Sequence, residues 1–304
     1  MAKKSPAVVF FGSGPVAAAS LRLLARDFAV EAVVTKPRPP HHHGETPVLA
    51  AAEELALTTY TAADKIELDA LFERKLFSSK VGILIDFGII VSQKIIDYFP
   101  FGIVNSHFSV LPEWRGADPI SFAILSGQNS TGVSLMLLVE AMDEGPIITY
   151  GEQPLTNKPT STELTQLLIS LSHNLLLNTL PRYLNEPVSS PQTITGRKVS
   201  YSRKLTKADG IIDWGKPATQ LEREIRAYIE WPRSLAMVGK MKFIIKKVAI
   251  ISESGAPGSY VATKDTLIVY CGQDALEIKS VQPLGKKEMP IRAFLAGYSK
   301  LLAS

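Results

Sequence analysis

A chain of 304 residues is long enough to bury a sizeable core and points to two domains rather than one. Hydrophobic residues make up 46% and charged residues 20%, which excludes disorder and low complexity as accounts of most of the sequence and fits a soluble globular protein. A single cysteine, Cys271, excludes an internal disulfide and a cysteine-based zinc cage, and fits a reducing, cytoplasmic setting.

The net charge of +4 hides an asymmetry: residues 1–187 hold 14 Lys and Arg against 19 Asp and Glu, whereas residues 188–304 hold 19 against 10. A basic second half is consistent either with an uneven protein surface or with a polyanionic partner such as RNA.

The N-terminus opens with Lys3-Lys4 and the apolar run Ala7–Phe11, a pattern shared with secretion signals. Gly12-Ser13-Gly14-Pro15 breaks the run well short of the roughly 7–15 apolar residues that such a signal needs, so a buried strand and turn are expected instead. No stretch reaches the ~20 apolar residues of a membrane span, and no membrane association is expected.

In chain order, Ala7–Phe11 predicts a buried strand, Val16–Ala25 a helix and Phe28–Val34 a second strand. Strands follow at Val81–Ile85, Ile103–Asn105, Thr131–Leu138 and Pro146–Tyr150, with a helix over Ser92–Tyr98 and a long amphipathic helix over Ser161–Leu184. This alternation implies an α/β, Rossmann-like, mostly parallel sheet, in which ligands sit at the carboxyl ends of strands. From Asn185 to about Lys204 the sequence turns rich in Pro, Ser and Thr and ends in Arg197, Lys198, Arg203 and Lys204, which reads as a basic linker. Beyond it come a helix over Ala218–Ile229 and short runs at Lys242–Ile251, Gly258–Ala262, Thr266–Cys271 and Ala275–Val281, the pattern of a small β-barrel.

Gly12-Ser13-Gly14-Pro15-Val16-Ala17 fits the loose form of a dinucleotide fingerprint. The second strand ends in Val33-Val34-Thr35-Lys36, however, without the carboxylate that would hold a ribose, so NAD is not expected. His41, His42 and His43 stand in a Pro-rich loop and read as solvated, and His173 falls inside the long helix as a structural or surface residue.

His107 is different, because it stands at the carboxyl end of a strand, two residues after Asn105. On extended backbone both side chains point to one side. An amide that donates a hydrogen bond, beside an imidazole able to move a proton near neutral pH, suits attack on a carbonyl carbon. Asp143, in the turn-forming run Ala141–Pro146, is the best candidate for a third partner.

Around these residues the sequence resembles the folate-dependent formyltransferases. Their pattern is Asn-X-His-X-Ser-Leu-Leu-Pro, then Arg-Gly-Ala, then an Asp in a Met-Asp-X-Gly-like turn. Asn105, His107, Ser109, Leu111, Pro112, Arg115, Gly116, Ala117, Met142, Asp143 and Gly145 stand in matching places. Val110 replaces a Leu, Phe108 stands where many members carry Gly, Phe87-Gly88 replaces a common Tyr-Gly, and the loop Lys36–Pro47 is short. Asp213-Trp214, Leu221, Ile225–Ala227, Trp231-Pro232 and Gln282–Lys287 resemble the C-terminal domain of members that act on methionyl-tRNA.

The resemblance implies a catalytic formyltransferase-fold domain over 1–187, a basic linker over 188–204 and an OB-like tRNA-binding domain over 205–304. It implies 10-formyltetrahydrofolate as co-substrate, with Phe87, Gly88, Ile90, Ser109, Val110, Leu111 and Pro112 around it. The implied acceptor is methionine on initiator tRNA, with Arg38, Arg203 and Lys204 touching the RNA. Asn105 and a protonated His107 would steady the developing oxyanion, and Asp143, directly or through His107, would take the amine proton. No metal is required, and a monomer is expected. An amino-sugar nucleotide or another small amine remains an alternative acceptor.

Overall fold

A computed structural model describes residues 6–39, 44 and 46–302. His41, His42 and His43 lie outside the described residues. The chain forms two compact units, the first comprising Met1–Gly116, Ser130–Pro154 and Thr165–Tyr201, the second Ala117–Asn129, Leu155–Leu164 and Ser202–Ser304.

In chain order the first half runs β1 (Ala7–Phe11), α1 (Pro15–Asp27), β2 (Ala29–Thr35), α2 (Pro47–Glu54), β3 (Thr59–Thr61), α3 (Lys65–Glu73), β4 (Gly82–Leu84), α4 (Gln93–Ile96), β5 (Ile103–His107), β6 (Arg115–Gly116), α5 (Pro119–Ser126), β7 (Ser130–Leu137), β8 (Ile147–Pro154) and α6 (Ser161–Asn185). The remainder runs β9 (Tyr201–Ser202), α7 (Ala218–Ala227), β10 (Ser234–Val238), β11 (Met241–Ile251), β12 (Tyr260–Ala262), β13 (Leu267–Tyr270), β14 (Ala275–Pro283), β15 (Met289–Pro290) and α8 (Ile291–Leu302).

The first unit is built on a seven-stranded sheet in the order β3-β2-β1-β4-β5-β7-β8. Strands β3, β2, β1, β4 and β5 run parallel, and β7 and β8 add antiparallel strands at one edge. The expected Rossmann-like sheet is therefore present. Strand β1 is buried on both faces, which is why it reads as an unbroken apolar run rather than an alternating one. One face carries an aromatic core in which Phe11 stacks on Phe72 at 5.8 Å and meets Phe87 edge-on at 5.6 Å.

The Gly12–Ala17 turn packs tightly rather than holding an open cradle. A side-chain carbon on Gly12 would come within 2.5 Å of Ala17, and one on Gly14 within 1.9 Å of the Asp86 carboxylate. The start of α1 therefore already faces a negative charge.

Register sets the position of the site. Leu84 at the end of β4 pairs with Asn105 on β5, and His107 pairs with Ser134 on β7. Ile103, Asn105 and His107 share one face of β5. Ile103 belongs to the aromatic core, so that face changes from apolar packing to polar chemistry toward the strand's carboxyl end. Ser106 points to the other face, where its hydroxyl meets that of Ser172 on α6 at 2.7 Å. His173 on the same helix pairs with Asp27 at 2.9 Å, a structural tether.

Residues 188–201, read from sequence as part of a linker, pack within the first unit. Ile147 and Ser190 exchange backbone hydrogen bonds at 2.8 Å, the Ser200 amide donates to Pro112 O at 3.2 Å, and the Thr195 hydroxyl donates to Leu111 O at 2.8 Å. Arg197 is not a free basic residue, since it pairs with Glu152 at 2.9 Å and Glu113 at 3.5 Å. A Pro/Ser/Thr-rich composition signalled irregular backbone but could not show what that backbone bonds to.

The second unit carries an antiparallel sheet in the order β10-β11-β14-β13-β12, with β15 pairing β14. This half-barrel closes over Phe243, Leu276, Ile278, Phe294 and Leu295, with Leu221 and Ile225 of α7 on the same core. Those two positions lie four apart on one stripe of an otherwise polar helix.

Candidate active site

Asn105 is 7% exposed, and no described protein group hydrogen-bonds its side-chain amide. Its polar atoms are not among those sealed from solvent without a partner, so they are free to bond a ligand at the strand end. His107, also 7% exposed, turns its Nε2 to the Trp114 carbonyl oxygen at 3.0 Å. A carbonyl can only accept, so Nε2 carries a proton and the ring orientation is fixed. Its Nδ1 then faces Asp143 Oδ1 at 3.6 Å, close but beyond hydrogen-bonding distance, so the pair is placed for a proton to be shared between them rather than bonded at rest.

Asp143 comes from the loop between β7 and β8. Its φ of +53° is a left-handed conformation that Asn and Asp adopt more readily than most residues. Asp143 Oδ2 accepts a hydrogen bond from the Gly116 amide at 2.8 Å, so one carboxylate oxygen is anchored while the other faces the imidazole. A side-chain carbon on Gly145 would lie 1.7 Å from the Leu137 carbonyl oxygen, so the turn closes only with glycine there. Gly145→Ala is therefore expected to lower both Tm and kcat, measured by thermal melting and single-turnover kinetics on the same preparation. His107 and Asp143 are brought together, and Asn105 stands on the same face of β5 as His107.

The residues expected around the folate fall into two groups. Phe87 is 2% exposed and sits in the aromatic core, so its side chain supports the strand end from beneath and does not line a pocket. Its carbonyl accepts from the Ser13 hydroxyl at 2.8 Å. Gly88 follows with φ +66°, and Ile90, on the same loop, is 72% exposed.

Ser109, Val110 and Leu111 are buried, and the Leu111–Pro112 bond is cis. They form a shelf pinned by Ser134, whose hydroxyl donates to Ser109 O at 2.9 Å and accepts from the Leu111 amide at 3.0 Å. What this segment offers is thus mainly backbone. Ser134 was not singled out from sequence; its position opposite His107 would have placed it, had the register been known.

Arg38 and Lys204 are exposed. Arg203 is 60% exposed but already engaged in the second unit, where its guanidinium grips both oxygens of Asp209. That grip, with the Thr206 backbone and hydroxyl donors, holds the Asp209 carboxyl well below the usual carboxylate range. A depressed folded-state pKa adds stability above the unfolded value of about 3.9, lost only as pH falls toward the depressed one.

Among the described residues no cluster of three or more His, Cys, Asp or Glu could hold a metal, and no helix is long and apolar enough to cross a membrane.

The formyl transferase N-terminal model matches residues 7–180, and the formyl transferase C-terminal domain model matches residues 204–299. The chain belongs to the formyl transferase family. Among curated formyl transferases, methionyl-tRNA formyltransferase of Magnetococcus marinus is 32% identical over 96% of this chain and 95% of that protein. The methionyl-tRNA formyltransferase of Roseiflexus sp. is 34% identical over 93% of this chain and 90% of its own length. Among solved structures, an N-formyltransferase from Helicobacter canadensis in complex with folinic acid and dTDP-3-aminofucose superposes with a TM-score of 0.67. It is 18% identical and covers 92% of this formyl transferase and 99% of its own chain, a likeness of fold.

Proposed function

We propose that this formyl transferase moves the formyl group of 10-formyltetrahydrofolate to the α-amine of methionine on initiator tRNA, giving N-formylmethionyl-tRNA for translation initiation. The observation that carries the reading is the full-length match, through both domains, to proteins named methionyl-tRNA formyltransferase. In the same reading residues 1–187 carry the chemistry, 188–201 pack with them as part of the first unit, and 205–304 bind tRNA. The enzyme works as a monomer in the cytoplasm.

The residues present suit a reduced folate. A nine-tenths-buried amide with free bonding capacity stands at the end of β5, and the loop leaving the neighbouring β4 presents the exposed Ile90. When bound, the folate supplies a formyl group on a nitrogen that can leave as an amine.

Asn105 donates to the formyl oxygen as negative charge develops there, which is worth about 2.7–4 kcal/mol for one well-placed donor. His107 Nε2 is held by Trp114, so the imidazole acts through Nδ1 and leaves Asn105 as the side-chain donor for that oxygen. Asp143 takes the proton from the attacking amine, directly or through His107 Nδ1, and that proton passes to the folate nitrogen as its bond to the formyl carbon breaks. The Gly116 amide keeps its second oxygen in place meanwhile.

The test offers formyl-folate with methionyl-tRNA and, separately, with amino-sugar nucleotides. Formylation of methionyl-tRNA supports the reading; formylation of the sugar amine alone overturns it. For RNA contact, Lys204→Gln together with Arg203→Gln is expected to raise the KM for tRNA and flatten its salt dependence. Arg203→Gln also breaks the grip on Asp209, so melting of the double variant separates the two effects. An unchanged salt slope counts against contact at these residues.

A further inference from the structure

We infer that Gln192 is a positioning residue for Asp143, holding the loop that presents the carboxylate. It rests on the reading that Asp143 acts in the transfer. Gln192 lies in the stretch between residues 180 and 204 that neither family model covers, and composition alone marks that stretch as irregular backbone.

The Gln192 side chain is 7% exposed and every polar atom on it is used. Its Nε2 donates to Asp143 O at 2.7 Å and to Gly145 O at 3.0 Å, bracketing the turn on both sides. Its Oε1 accepts from Arg115 Nη2 at 2.7 Å and from Arg115 Nε at 3.2 Å. Arg115 in turn donates from Nη1 to Glu144 Oε1 at 2.9 Å. Three consecutive residues, 143 to 145, are thus tied to one amide and the guanidinium that orients it.

The chemistry leaves one orientation open to the amide. A guanidinium can only donate and carbonyls can only accept, so the amide oxygen must face Arg115 and the nitrogen the turn. Glutamate has the same shape but no donor, and it would set a carboxylate against two carbonyl oxygens. Alanine would take this donor from the Asp143 and Gly145 carbonyls and one acceptor from Arg115.

The restraint matters because Asp143 sits at φ +53°, a region that residues with side chains occupy when their surroundings impose it. In this turn one carboxylate oxygen reaches the Gly116 amide while the other faces His107. Positioning to within about half an ångström is what such a side chain needs in order to act.

The experiment uses the full chain and single-turnover formylation of methionyl-tRNA with enzyme in excess. Gln192→Glu and Gln192→Ala are expected to lower kcat about 10–100-fold while KM for folate and tRNA stays within about threefold. Because Gln192 acts through Asp143, adding Gln192→Ala to Asp143→Asn is expected to change the residual rate by less than about twofold.

Wild-type kcat in Gln192→Glu overturns the inference. So does a further loss in the Asp143→Asn background equal to the loss in the wild-type background, which is what damage to folding would give. A fully active Asp143→Asn overturns the site reading itself, and is told apart because the Gln192 variants are compared against it.

Discussion

Asn105→Ala is expected to slow formyl transfer by about 10²–10³-fold, the usual loss for one donor to a developing oxyanion. The same substitution is expected to leave Tm close to that of the wild type. No described protein group bonds the Asn105 amide, and its polar atoms are not sealed from solvent, so its removal breaks no protein hydrogen bond. Loss of rate with no loss of stability is the signature of a residue kept for function rather than for the fold. Thermal melting and single-turnover rates measured together would expose the opposite case. A fall in Tm with a near-normal rate would mean that the amide serves the sheet and not the substrate.

Asp143→Asn is expected to lower kcat by about 10²–10⁴-fold, the range that general acid–base help supplies. Asparagine tolerates the left-handed backbone at this position. Its amide oxygen can still accept from the Gly116 amide, now at 2.8 Å from Asp143 Oδ2, so the loop keeps its shape. What disappears is the proton acceptor facing His107. KM values close to wild type with a large fall in kcat would separate this role from simple substrate binding. A variant within a few-fold of wild type would remove Asp143 from the chemistry.

Much of the first unit was legible because its strands are β-branched and apolar runs with Gly at their ends, as at Ala7–Phe11 and Val81–Ile85. The placing of Asn105 and His107 at a strand end and of Asp143 in a Gly/Pro-closed turn was legible for the same reason, whereas their expected chemical role came from the resemblance to formyltransferases. Helices α2, α3, α5 and α8 were not read, although the four-residue α4 was. The signal for α3 was nonetheless present, because Asp64 caps it by accepting from the Ile66 and Glu67 amides.

Long-range roles stayed hidden. Phe87 reads as a pocket aromatic, yet its ring belongs to the core with Phe11 and Phe72. Gln192 reads as loop, yet its amide reaches across 49 positions to Asp143. In both cases composition describes the backbone, while the role is set by what stands opposite in space.

The most direct test is a crystal structure with a non-reactive formyl-folate analogue bound. The account predicts the formyl oxygen within about 3 Å of the Asn105 amide, the pterin along residues 87–90 and the backbone shelf at 109–112, and the Asp143 carboxylate on the open side of the formyl carbon. An analogue seated elsewhere, for instance in the groove of about 430 Å³ lined by Pro112, Arg115, Glu144 and Gln192, with Asn105 still unpaired, would contradict it.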